Sequence, residues 1–199
     1  MNSGPTSERV YDALKRRILS GDLPPGEKIE PAAFAEELSS SVTPIRDALH
    51  RLTGERLVET RTSDGFHLPI VTEVTLRDVY AWNAQLCRLI AQSWVGAHHA
   101  PIANALPVDI RHAAPVFFGL FAVRSNNAEH AAQVAMSNDR LTTSRIAEER
   151  LLPDLETELR ELAVAFDAGP SGPLMKLVAA YHRRRLRAMP DIVRSLYRA

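Results

Sequence analysis

The sequence predicts a mainly α protein in two parts. Residues 1–72 read as a winged helix-turn-helix, three helices plus a β-hairpin wing. Residues 73–199 read as an all-helical domain. Three observations carry this. Apolar residues recur at helical spacing along most of the chain. Strand-like runs with a turn between them occur in one place only, around Asp64-Gly65. Finally, Ser41-Val42-Thr43-Pro44-Ile45-Arg46-Asp47-Ala48-Leu49 reads as a turn followed by a short amphipathic helix. Its outer face opens with small polar residues and carries arginine, which is what a DNA major groove accepts.

The elements follow in order. Val10, Leu14 and Ile18 stripe a helix from Glu8 to Leu19, with Ser7 as its N-cap. Gly21-Asp22-Leu23-Pro24-Pro25-Gly26 ends it, since glycine and proline interrupt a helix. Pro31 to Leu38 forms a second, short helix with Phe34, Ala35 and Leu38 inward. Ser39-Ser40-Ser41 is a turn, one of whose serines is expected to cap the third helix. Pro44 fits that helix's first turn, where its missing N–H is no loss. Ala48, Leu49 and Leu52 then face inward, leaving Thr43, Arg46, His50 and Arg51 outward. Leu57 to Arg61 and Phe66 to Ile70 flank an Asp-Gly turn and make the wing. Gly65 supplies positive φ at its tip, and His67 is expected to face solvent.

Beyond Val71 the strand signals stop. Leu76, Val79, Tyr80, Leu86, Ile90 and Trp94 stripe a long helix ending near His98-His99. Val116–Val123 is apolar enough to be a buried helix, and Ala128–Leu152 reads as another. Pro153 can open the next, striped by Leu155, Leu159, Leu162 and Phe166. A Gly/Pro-rich loop over 169–173 precedes a helix from Leu174 to Met189, and Pro190 separates a short last helix.

Composition narrows the function classes. Lys plus Arg balance Asp plus Glu at 24 each, so bulk charge favours no polyanion. Residues 1–70 hold nine basic against eleven acidic residues, so a DNA-binding domain must concentrate its cations on one face. Cys87 is the single cysteine, which rules out an intrachain disulfide and fits a reducing, cytoplasmic home. The chain has no apolar run of about 18 residues and does not open on a signal peptide, so a soluble, intracellular protein with no membrane partner is expected. No nucleophile elbow, phosphate-cradling glycine loop or His-Glu-x-x-His motif occurs, so no enzyme is expected.

The N-terminal pattern resembles the GntR family of transcriptional regulators. The resemblance rests on Tyr11-x-x-Leu14, Ile18-x-x-Gly21-x-Leu23-x-Pro25-Gly26 and Phe34-Ala35-x-x-Leu38, then Thr43-Pro44-Ile45-Arg46-Asp47-Ala48-Leu49-x-x-Leu52, Leu57-Val58 and Gly65-Phe66. It implies a homodimer on a double-stranded DNA operator, with Val42, Thr43, Arg46, His50, Arg51 and Gly65 as candidate DNA contacts. Thr43 could instead cap the helix. The family usually has arginine where Val42 stands and an acidic residue where Pro31 stands, so a changed operator or weaker binding is expected.

The helical half is similar to the FadR-type (FCD) effector domain, which implies dimerisation and a small, organic acid-like effector. Asn138 stands at that pattern's first metal-ligand position, Thr142 where its first histidine belongs, and His182 resembles the second histidine; the last is not reached before Ala199. The Arg and Glu usual in the first effector-domain helix are replaced by Asn83 and Cys87. A stable site generally needs about three protein ligands, so no metal or other cofactor is expected. Asn83, Asn138 and His182 are the candidate effector contacts, though Asn83 could equally be buried against a polar partner. Arg183, Arg184, Arg185 and Arg187 read as a solvated helix face, and His98, His99, His112 and His130 as ordinary surface or core histidines. The alternative is a ligand-independent or partner-controlled DNA-binding protein whose helical half is only an interaction module.

Overall fold

The computed structural model describes residues 5–95, 101–102, 106–107 and 110–198. The chain divides into two compact units, one running through Val71 and including the chain end from Leu196, the other spanning Thr72–Ser195.

In the first unit the elements run α1 (Pro5–Leu19), β1 (Lys28–Ile29), α2 (Pro31–Glu37), α3 (Val42–Gly54), β2 (Glu59–Arg61) and β3 (Gly65–His67). Val10, Leu14 and Ile18 of α1 pack with Phe34 and Ala35 of α2 and with Ile45, Ala48, Leu49 and Leu52 of α3 into one core, closed by Phe66 and Leu68. This confirms the three helices and their inward faces. The first helix starts at Pro5, so Ser7 lies inside it rather than capping it. Ser41 does hold the N-cap position of α3, but its side chain makes no capping bond.

The wing is a three-stranded sheet in the order β1-β3-β2, antiparallel throughout. The additional strand pairs Lys28 with His67 and Ile29 with Phe66. It makes β3 the central strand, and His67 is therefore buried, not facing solvent as expected. Its Nε2 lies 3.1 Å from Asp64 at the wing tip. The left-handed residues of that tip are Ser63 and Gly65.

The second unit is helical: α4 (Glu73–Gln92), α5 (Ile110–Ala122), α6 (Ala128–Arg140), α7 (Thr142–Leu151), α8 (Leu155–Asp167) and α9 (Gly172–Leu196). Thr72 and Thr75 form a reciprocal capping box at the start of α4. That helix stops at Gln92; Trp94 lies past its end and packs against Phe121 and Phe166. His98 and His99 lie outside the described residues. The core gathers Leu86, Cys87 and Ile90 with Phe117, Phe118, Phe121, Leu159, Leu162, Phe166, Leu174, Val178 and Tyr181. Val116 and Val123, the ends of the apolar run, are exposed.

Three helix boundaries differ from expectation. The single helix over 128–152 is interrupted at Leu141. Thr142 Oγ1 donates to the Asn138 carbonyl at 3.1 Å and Ser144 Oγ to that of Leu141 at 2.8 Å, drawing carbonyls away from the regular ladder. Pro153 stays outside α8, which starts after Asp154 in a left-handed conformation. Pro190 does not end α9. It is exposed, and the carbonyl four residues earlier lies on that same face, where water can take over its bond.

Candidate nucleic-acid interface

The inward residues of α3 orient the rest of it. Ile45, Ala48, Leu49 and Leu52 are buried, so at about 100° per residue Thr43, Asp47 and His50 point directly away from the core. Arg46 flanks that face on one side and Arg51 on the other. Val42, Thr43, Arg46, His50 and Arg51 are all exposed. They differ in what they touch. Arg46 makes no ion pair or hydrogen bond among the described residues. Arg51 is engaged with α1: Nη1 lies 2.9 Å from Glu8 Oε1, and its guanidinium carbon stands 3.9 Å from the centroid of the Tyr11 ring. The Glu8 bond holds its pKa above the ordinary arginine value. Arg51 thus serves the joint between α1 and α3. Lys15, Tyr11 and Glu55 complete that joint, with Lys15 Nζ 2.7 Å from Glu55 and the Tyr11 hydroxyl also donating to this carboxylate.

His50 has a second role. Its ring meets Phe66 of β3 edge-on at 5.0 Å, so the outward face of α3 and the wing are fixed to each other. At the wing tip Gly65 has φ 83°, and a Cβ there would meet nothing within 4 Å; only its backbone conformation argues for glycine. Lys28 of β1 reaches this tip, 3.2 Å from Asp64 and 3.3 Å from Glu30. The Lys28 bond holds the Asp64 carboxyl below the usual range. Neither Lys28 nor Asp47 stands out in the sequence. A two-residue strand leaves no periodicity to read, and Asp47 carries the charge opposite to the one sought.

In the helical domain the structure joins two of the three candidate effector residues. Asn83 and His182 are buried, and His182 Nε2 lies 2.9 Å from the Asn83 amide, with Nδ1 2.7 Å from the Val178 carbonyl. Burial, with the charges of Arg185, Arg145 and Arg88, pushes the His182 pKa down to about 4, despite the Val178 bond. The ring is therefore neutral near pH 7 and carries its one proton on Nδ1, toward the carbonyl. Nε2 must then accept, so the Asn83 amide turns its NH2 to the ring. Asn138 is used elsewhere: it donates to the Pro115 carbonyl at 3.1 Å and accepts from Arg145 at 3.0 Å. Phe118 lies between the two groups, 5.8 Å from the His182 ring and 5.7 Å from the Arg145 guanidinium. Among the described residues no three His, Cys, Asp or Glu side chains gather as a metal site.

His182 sets a pH dependence. Its folded pKa lies below the ordinary histidine value of 6.5, so unfolding takes up a proton in acid. The stability this contributes is present above pH 6.5 and is lost as pH falls toward about 4, in total about 3 kcal/mol. Urea titrations from pH 7 to pH 5 should show the loss, and His182→Gln should flatten the curve over that window. An unchanged slope in the variant would rule His182 out as its source.

The arginine cluster of α9 is not one solvated face. Arg185 is 1% exposed, a correction to the expectation, with Nε 2.9 Å from Glu148 and Nη1 2.7 Å from Glu158. Its neighbours Arg183, Arg184 and Arg187 line an open groove with Ala180 and Ala188. Cys87 is buried, which pushes its thiol up to about 12 and leaves it unreactive.

Comparison with known proteins bears mainly on the first unit. Residues 6–68 match the model of bacterial regulatory proteins, gntR family. Over 62 residues the chain is 40% identical to the Nta operon transcriptional regulator of Aminobacter aminovorans, covering 31% of this chain and 30% of that one. Over 81 residues it is 31% identical to the HTH-type transcriptional repressor GlaR of Escherichia coli strain K12, covering 41% and 37%. The chain thus spans about a third of the length of these curated relatives. Two solved structures share its fold over nearly the whole length, at 17% identity each. One is a GntR-type protein from Rhodococcus sp. RHA1, with a TM-score of 0.78, covering 94% of this chain and 98% of that one. The other is E. coli McbR/YncC, with a TM-score of 0.71, covering 93% and 97%. Among the described residues no helix is long and apolar enough to cross a membrane.

Proposed function

We propose that this chain is a sequence-specific DNA-binding transcriptional regulator of the GntR family, acting as a repressor. The observation that carries the reading is the outward face of α3, which presents Thr43 and an ion-pair-free Arg46 within a domain matching the gntR model. In this reading α3 enters the major groove, Arg46 bonds a guanine edge or a phosphate, and Thr43 and Val42 meet the adjoining base and backbone. The wing approaches the flanking groove through Gly65. His50 contributes by holding the wing, and Arg51 by seating α3 on α1.

The helical half is proposed as an FCD-like dimerisation and effector domain. A homodimer places two α3 helices on half-sites about one helical turn apart. A ligand alters operator affinity only as far as it binds one arrangement of the dimer better than the other.

Val42 gives the reading a gain-of-contact test. At the first position of α3 and exposed, it can touch only a methyl group, whereas arginine there can bond both guanine acceptors. Val42→Arg should therefore select operators enriched in guanine at one position of each half-site, with the rest unchanged. Recovery of the same operator by both proteins would refute the placement of α3.

A further inference from the structure

The third helix and the wing carry their charge differently. Arg46 on α3 is exposed and makes no ion pair or hydrogen bond among the described residues. Both cations of the three-stranded sheet, in contrast, are engaged by carboxylates. Arg61 of β2 lies 2.7 Å from Glu59, and Lys28 of β1 lies 3.3 Å from Glu30 and 3.2 Å from Asp64. Two cations face three carboxylates, so these pairs offer no surplus positive charge to a phosphate backbone. Phosphate contacts supply the sequence-independent part of DNA binding, and they require that charge.

The Asp64 carboxylate is fixed from inside the sheet. Its Oδ2 lies 3.1 Å from Nε2 of His67, a side chain 3% exposed on the central strand. A carboxylate only accepts, so Nε2 carries a proton toward it. The Asp64 backbone is held too: its N–H donates to the Arg61 carbonyl at 3.1 Å, between left-handed Ser63 and Gly65. Lys28 is the partner that can move. It stands opposite His67 in the β1–β3 register, is half exposed, and carries its ammonium on a flexible stem. Exposed ion pairs contribute little to stability, so this one opens easily. The tip itself is open, since a Cβ on Gly65 would meet nothing within 4 Å. The edge-on contact of His50 with Phe66 ties the sheet to the outward face of α3, so tip and helix approach one duplex together.

We propose that Lys28 is a phosphate-binding residue of the wing and that Asp64 competes with the DNA backbone for it. In the free protein the carboxylate occupies the ammonium. On a duplex Lys28 turns to a phosphate and leaves Asp64, still bonded to His67, without its cation and near a second anion. The exchange lowers affinity for every duplex alike, because a phosphate contact carries no sequence information. Selectivity then rests with α3. The inference rests on the DNA-binding reading of the first unit and adds to it a residue that weakens backbone binding.

The test is fluorescence anisotropy of the full chain on a selected operator duplex and on a scrambled one, over a series of salt concentrations. The proteins are wild type, Lys28→Gln, Asp64→Ser and the double variant. Both side chains lie at the surface and serine suits a turn, so all four should fold. Asp64→Ser should bind both duplexes roughly two- to fivefold tighter at low salt, with the ratio between them unchanged. Adding Lys28→Gln should abolish that gain. Log affinity against log salt should be steeper for Asp64→Ser than for the double variant by about 0.9 for each wing engaged. A gain of equal size with and without Lys28 would make Asp64 a general repeller of DNA and overturn the proposal. So would no gain, equal salt slopes, or a gain confined to the operator, which would set Asp64 against a base. Arg46→Ala on the same duplexes separates the two readings. Relaxed selectivity there, with no gain from Asp64→Ser, refutes the exchange alone. A wild type that binds neither duplex refutes the regulator reading and the exchange with it.

Discussion

Replacing Arg185 by methionine should destabilise the helical domain by about 3–5 kcal/mol, the cost of leaving a buried carboxylate without its partner. Glu148 is 2% exposed and pairs with this guanidinium; Glu158, largely covered, pairs with it at 2.7 Å and with Arg184 at 3.5 Å. Burial opposes the charged form of Arg185. Tyr181, Glu148 and Glu158 outweigh it, so its pKa sits above the ordinary arginine value. The Tyr181 ring lies 3.4 Å from the guanidinium carbon, and the Tyr80 hydroxyl donates to Glu148, so the loss reaches α4, α7, α8 and α9 together. Helical-domain melting should fall by about 10 °C. Adding Glu148→Gln and Glu158→Gln to the methionine variant should restore much of the loss, because the stranded charges go with the cation. A single-variant loss below about 1 kcal/mol would mean that these carboxylates find water or other partners.

Arg46→Ala should weaken operator binding by about 1–3 kcal/mol, roughly five- to 150-fold, and relax selectivity at the base it meets. Because Arg46 makes no ion pair or hydrogen bond among the described residues, its removal should leave melting within about 0.5 kcal/mol of wild type. Arg51→Ala should do the reverse in kind. It cuts the tie from α3 to Glu8 and Tyr11 on α1 and should act through domain stability more than through base selectivity. Equal selectivity profiles for wild type and Arg46→Ala would contradict the assigned role.

The contrast between these two arginines shows what a sequence can and cannot convey. That both leave the core side of α3 follows from the spacing of Ile45, Ala48, Leu49 and Leu52. That one is engaged by another helix 40 residues away depends on tertiary placement. The same holds for the wing. Gly65 and the hairpin are local signals, but Lys28-Ile29 is too short to show alternation, so the central position of β3 and the burial of His67 leave no mark in the sequence. In the helical half the apolar stripes were legible and the helix ends were not, because Thr142 and Ser144 interrupt a ladder through bonds no periodicity records. Arg185 did leave a signal. It falls on the stripe of Leu174, Val178, Tyr181, Met189 and Ile192, where a charged residue must be buried with partners, although the arginines beside it in sequence mask that position. Of the effector candidates, the pairing of Asn83 with His182 needed the fold, since 99 residues separate them.

The central claim is that this chain reads DNA sequence through α3. Its most direct test is selection of bound duplexes from a random pool by the full chain, followed by fluorescence anisotropy on the selected and a scrambled duplex at two salt concentrations. The account predicts a short inverted repeat whose preference over the scrambled duplex persists at higher salt, because base contacts outlast the screened phosphate contacts. No enriched sequence, with binding to both duplexes lost together as salt rises, would contradict it.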